Sequence, residues 1–133
     1  MATFHLQIVT PDRMAYDGLA EKIILRTING DVCILARHID YATPLGIGEA
    51  RVTDENGNTR IAACNGGLLS VHNNEVRVMA ITFEWQDDID LERAHRAEAE
   101  AQEKLQALNR EDIDFALAEA KLKRALTRIH VKE

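Results

Sequence analysis

Asp90 and Arg93 stand three residues apart in the stretch Ile89-Asp90-Leu91-Glu92-Arg93-Ala94. On a helix that spacing makes the two side chains neighbours, and as an ion pair they would add only about 0.2–0.5 kcal/mol. Turned together into a pocket they could do more. The guanidinium could hold a phosphate through two parallel hydrogen bonds, the carboxylate could accept hydrogen bonds, and Ala94 would leave room for a ligand. A second concentration of charge lies near the C-terminus. Between Glu119 and Glu133 the basic residues are Lys121, Lys123, Arg124, Arg128 and Lys132, and those two glutamates are the only acids. Two readings stand side by side: a solvated face whose cations suit a helix C-terminus, or a basic face that meets an acidic partner.

Other chemistry is poorly supplied. The histidines, at 5, 38, 72, 95 and 130, form no H-x-x-x-H pair and none stands near both cysteines, so the spacing offers no metal set. Ser70 is the one serine, inside an expected strand without a nucleophile elbow. Gly46-Ile47-Gly48-Glu49-Ala50 has too few glycines for a phosphate loop and no lysine after it, so its glycines are expected to serve a turn or bulge. Cys33 and Cys64 sit in apolar runs and read as buried, reduced thiols, which fits a reducing compartment.

These residues need elements to place them, and the chain of 133 residues changes character near Trp85. All seven glycines and both prolines precede it; alanine, glutamate, leucine, lysine and arginine dominate after it. A β-rich half followed by a helical half is expected, an α+β chain. Residues 1–86 read as a small antiparallel β-sandwich or barrel of short strands. Asn56-Gly57 is expected to form a tight I′ turn, Asn65-Gly66-Gly67 to turn the chain, and Asn73-Asn74 to tip a further hairpin with Val76, Val78 and Ala80 on one face. Residues 87–133 read as an antiparallel two-helix hairpin. One stripe is Ala94, Ala97, Ala101, Leu105 and Leu108; the other is Phe115, Ala118, Leu122, Ala125 and Ile129. Asp87, Asp88 or Asp90 could cap the first helix, and Asn109 or Asp112 the second. A seam so rich in alanine removes little area from water, so the hairpin should depend on docking against something else. The formal net charge of −6 argues against a nucleic-acid binder held by phosphates. The N-terminus reads as lacking a signal peptide, and no run approaches the roughly 20 apolar residues of a membrane span.

Several stretches together resemble the epsilon subunit of the bacterial F-type ATP synthase. Phe4 to Gly18, "FHLQIVTPDRMAYDG", is similar to that family's opening strand and Val-Thr-Pro turn. "TINGDVCILARHIDYATPLGIGE" is similar to its loop with His38 and Thr-Pro-Leu, although Cys33 stands where a glycine is usual and Ala36 near a usual proline. "AACNGGLLSVHNNEVRVMA" resembles its Gly-Gly strand pair, and "IDLERA" its Ile/Leu-Asp-x-x-Arg-Ala motif. The resemblance implies a β-sandwich and helical hairpin, no chemistry of its own, and no required cofactor. It implies a central-stalk rotor subunit beside gamma, seated on the c-ring, peripheral to the cytoplasmic face of the bacterial membrane through the complex only. The loop from Gly30 to Thr43, with His38, would lie near gamma or the ring. The helices would restrain ATP hydrolysis by extending into the alpha/beta head, where Lys121, Lys123, Arg124 and Arg128 are candidates to meet acidic catalytic-subunit loops. In some members the motif belongs to an ATP site that holds the hairpin down. Carried over, the positions are Ile89, Asp90, Arg93 and Ala94, with Arg96, Arg124 and Arg128 as candidate extra arginines and ATP as a regulatory ligand. The competing readings are a free-standing ATP-sensing module and, less supported, a β-sandwich enzyme with an oligomerising tail.

Overall fold

The computed structural model describes residues 2–108 and 113–133. Seven strands precede two helices. They are β1 (Phe4–Val9), β2 (Met14–Thr27), β3 (Gly30–Leu35), β4 (Tyr41–Asp54), β5 (Thr59–His72), β6 (Glu75–Ala80) and β7 (Phe83–Trp85), then α1 (Leu91–Ala107) and α2 (Ile113–Lys132). β1 alternates as its sequence demands: Phe4, Leu6 and Ile8 are buried, and His5, Gln7 and Val9 face outward.

The sheet closes on itself. Its order runs β1-β6-β5-β4-β2, and β2 returns to β1. β3 extends from β2, and β7 pairs with β5. The pairing of β1 with β6 is parallel, and every other ladder is antiparallel. The fold is therefore a barrel-like sandwich with one parallel seam. Closure removes the free edges that β1 and β6 would otherwise present. The core inside it is built from Phe4, Leu6, Ile8, Ile23, Leu25, Ile34, Val52, Leu69 and Val78. β2, β4 and β5 run 14 residues each, and register shifts in the β2–β4 ladder mark where they bend around that core. Gly48 serves such a place. A Cβ there would lie 2.6 Å from Arg26 Cβ, so only glycine lets β2 approach.

Three local expectations change. Asn56-Gly57 does not make a two-residue I′ turn. Asp54 C=O accepts from Gly57 N–H at 3.1 Å and only Gly57 has positive φ, +82°, which makes a three-residue loop ending in a glycine bulge. Asp54 Oδ1 accepts from the amides of Asn56 and Asn58, and that side-chain capping favours the longer loop. The I′ turn lies instead at Asn73-Asn74, both at positive φ between the paired His72 and Glu75. Asn65-Gly66-Gly67 does not reverse the chain: β5 continues through it, kinked by the two glycines at positive φ. Cys64 is buried but Cys33 is exposed, because the phase of β3 sends Ile34 inward and Cys33 out.

Asp90 caps α1, its Oδ1 accepting from Arg93 N–H at 3.2 Å. Asp87 and Asp88 lie earlier, in a short 3-10 turn over Gln86–Asp88. Asn109 and Asp112, the candidate caps of α2, lie outside the described residues. Ala94 and Ala101 of α1, with Ala118 and Ala125 of α2, are all at most 2 % exposed. The helices pack closely along small residues and run antiparallel, since Ala107 at the end of α1 shares a cleft with Asp114 and Leu117 near the start of α2, while Arg93 and Ala94 at the start of α1 share one with Arg128 near the end of α2. Their anchor on the sandwich is a small cluster of Ile89, Val131 and Ala63, flanked by Ile61. Gln86 Nε2 donates to Val131 C=O at 2.8 Å, and Lys132 Nζ donates to Gln86 C=O at 3.1 Å, so linker and helix end hold each other. Burying Ile89 and Val131 contributes about 1.5–3 kcal/mol each. That is a modest hold for 37 helical residues.

Candidate functional site

β7, the linker and both helices meet at a cleft of about 420 Å³. Thr82 and Glu84 form its sandwich wall, Asp90, Arg93 and Ala94 its α1 wall, and Arg128 its α2 wall. Each is there for a local reason. Glu84 lies on β7 opposite Ala63 and points to the helix side. Arg93 and Ala94 occupy the first turn of α1, which Asp90 fixes by capping. Arg128 is held by Glu84 through Nε to Oε1 at 2.6 Å, with both side chains mostly sheltered.

Ala97 and Arg128 also line a smaller adjoining cleft of about 170 Å³ with Lys104, Lys121 and Arg124. The two clefts make a trough with graded charge. Glu84, Asp88 and Asp90 offset Arg93 and Arg128 at the linker end, whereas Lys104, Lys121, Arg124 and Arg128 outnumber Glu100 along the helices. Such a trough can take an anion at its helical end and a hydrogen-bonding, uncharged group at the other.

Of the sequence-derived candidates, Asp90, Arg93, Ala94 and Arg128 come together on one cleft, and Lys121 and Arg124 adjoin them. Ile89 does not line the cleft; it is 4 % exposed and packs beneath it against Ala63 and Val131. Lys123 and Arg96 line neither cleft. Glu84, Thr82 and Lys104 escaped sequence reasoning. No period relates Glu84 to Arg128 across 44 residues, and only the docked hairpin joins them.

His38 belongs to a different surface, the loop between β3 and β4. Its Nδ1 bonds Ile39 C=O at 2.7 Å and its ring tilts against Tyr41 at 5.8 Å. The loop is tied to the β5–β6 turn. Asp40 accepts from Asn73 N–H at 3.2 Å and pairs with His72 Nδ1 at 2.9 Å, and Arg37 N–H donates to Asn74 Oδ1 at 2.7 Å. The Asn73 amide first, and His72 second, hold the Asp40 carboxyl below its usual range. The loop tip presents Ile39, 77 % exposed. An apolar row also crosses the outside of the barrel in register: Pro44, Leu68, Met79, Val9 and Met14 stand side by side on five successive strands. Leu68, Met79 and Met14 are each exposed.

The model for the ATP synthase delta/epsilon chain β-sandwich domain matches residues 3–86, and that for the delta/epsilon long α-helix domain matches residues 87–133. The chain belongs to the ATP synthase delta/epsilon family. It is 34 % identical to the ATP synthase epsilon chain of Exiguobacterium sp., over 100 % of this chain and 98 % of that one. It is 38 % identical to the epsilon chain of Halalkalibacterium halodurans, over 98 % of each. A chain in the Euglena gracilis mitochondrial ATP synthase shares the fold at a TM-score of 0.82 and 23 % identity, covering 96 % of this chain and 79 % of that chain. Like other epsilon chains it is a stalk subunit rather than a catalytic one. No helix among the described residues is long and apolar enough to cross a membrane.

Proposed function

We propose that this epsilon-type chain works as a rotor subunit that couples gamma and the c-ring to the alpha/beta head and restrains ATP hydrolysis through its hairpin, with ATP favouring the docked hairpin. The observation that carries the regulatory part is the trough astride the docking seam. A ligand that touches Glu84 or Thr82 on the sandwich, Arg93 on α1 and Arg128 on α2 meets all three only when the hairpin is docked. Its binding energy therefore adds to docking. At about 100 times its dissociation constant, a ligand selective for the docked form stabilises it by about 2.7 kcal/mol. The graded charge suits a nucleotide, with phosphates along Lys121, Arg124 and Arg128 and the base towards the acidic linker end.

The coupling part draws support from the apolar row on the barrel and from the tied loop bearing His38 and Ile39, two surfaces suited to gamma and the ring. Through them the chain would sit on the cytoplasmic face of the membrane as a peripheral member of the complex. Released, the hairpin would carry Lys121, Lys123, Arg124 and Arg128 to acidic loops of the head. A free-standing ATP sensor is the second reading. The row argues against it, because a contiguous exposed apolar patch marks an interface, and copurification with gamma separates the two. Calorimetry of the isolated protein with ATP tests the regulatory part. Saturable binding that is lost or weakened at least tenfold in Arg93→Ala is expected; equal heats in both proteins would remove Arg93 from the site.

A further inference from the structure

Asn65 is a buried side chain that the proposed nucleotide site does not use. It is 2 % exposed. On β5 it stands two residues beyond Ala63, which packs under Ile89 and Val131, so strand alternation puts Asn65 on the helix-bearing face. Its cross-strand neighbour is Ile47 on β4, a strand that α2 also touches. The Asn65 Nδ2 donates to Thr82 Oγ1 at 2.8 Å, and Thr82 lines the cleft with Arg93, Ala94 and Arg128. Among the described residues the Oδ1 has no partner. Exchanging the amide oxygen and nitrogen does not help. The hydroxyl of Thr82 can serve either atom, but the other end of the amide stays unpaired.

We propose that Asn65 is a built-in release element: an amide left half-paired beneath the docked hairpin and fully hydrated when the hairpin lifts. The physical asymmetry is direct. An unpaired buried polar group opposes the state that buries it and is indifferent once water reaches it. The main hold on the hairpin is the small Ile89–Val131–Ala63 cluster, the Glu84–Arg128 ion pair and a few hydrogen bonds, so one orphaned amide weighs measurably against it. Asn65 thus sets how readily the hairpin leaves, and how much ligand is needed to retain it. The inference concerns docking alone, and it stands whether or not a nucleotide occupies the trough.

Hydrogen exchange on the full chain without nucleotide tests it, with the amides of α1 and α2 read against those of β1 and β6. Asn65→Leu replaces the amide by an apolar group of similar size. It should slow exchange in both helices about tenfold while β1 and β6 are unchanged. Thr82→Val strips Asn65 of its one partner and should speed helix exchange. In the double variant, the leucine should make the loss of the hydroxyl nearly neutral. Asn65→Ala provides the same comparison if leucine does not fit, with a smaller slowing. Helices that exchange as fast in Asn65→Leu and Asn65→Ala as in the parent, or strands that gain protection equally, would overturn the proposal. The first result would mean that the amide is satisfied in the docked state, and the second that it burdens the sandwich rather than docking.

Discussion

His5 has both ring nitrogens against carboxylates: Nε2 lies 2.6 Å from Asp17 Oδ1 on β2, and Nδ1 lies 2.7 Å from Glu75 Oε2 on β6. Only the imidazolium can donate through both nitrogens. The hydrogen bond to Asp17 first, and that to Glu75 second, raise the pKa above the ordinary 6.5. Because the folded value is the higher one, this contribution is complete below about pH 6.5 and is lost as pH rises through the raised value. An NMR titration should place His5 above 6.5, and His5→Gln should flatten the fall in stability across that window. The His5 side chain is about one-third exposed, so the effect should be small. The cysteines give a second test at this scale. Burial pushes the Cys64 thiol up to about 12, so a thiol reagent at neutral pH should label Cys33 and spare Cys64 in the folded protein, as mass spectrometry would read. That contrast was not legible in the sequence. Val32-Cys33-Ile34-Leu35 is a short apolar run whose phase is invisible until β3 pairs with β2.

Among the elements, legibility followed how local the cause was. The helices are plain from the spacing of their alanines, and of the three acids that could cap α1 it is Asp90 whose side chain accepts from Arg93 N–H. Asp90→Ala should lower helix stability by about 0.5–2 kcal/mol, measured as faster amide exchange in the first turn of α1. The strand turns were harder. Asn-Gly and Asn-Asn are both fit for positive φ, and the choice between a two-residue and a three-residue loop rested on the Asp54 side chain. The Asn65-Gly66-Gly67 stretch is ambiguous for a related reason, since Gly67 admits the backbone of β6 and Gly66 the side chain of Ile81 rather than reversing the chain. A Cβ on Gly67 would lie 2.0 Å from Met79 C=O, at a φ of +128°. Gly67→Ala should therefore cost about 3 kcal/mol or more in chemical denaturation, by parting β5 from β6.

For the whole molecule, the α+β order was readable from composition, but closure of the sheet was not. The parallel contact of β1 with β6 joins residues about seventy positions apart, and neither strand announces it. The same is true of the candidate site. Its α1 residues were visible as a motif, whereas Glu84 and Thr82 entered only because the hairpin lies down on β7. If the basic residues of α2 act on the catalytic head, Arg124→Glu with Arg128→Glu should relieve inhibition of ATP hydrolysis in the assembled enzyme. The same pair should also weaken ATP binding by the isolated chain, and comparing the two assays separates the roles.

The parallel seam also bears on how the chain is born. β1 leaves the ribosome first but lacks one of its two neighbours until Glu75–Ala80 have emerged. The opening strand must wait, paired on one side only, through most of the synthesis of the sandwich. α1 and α2 come later still, at a rate of about 5–20 residues per second. Their docking needs Ala63 on β5 and Glu84 on β7 already in place, so the surface they settle on is made by residues that precede them in the chain. Every contact just named comes from the chain itself, so the docked arrangement requires no residue of any other subunit.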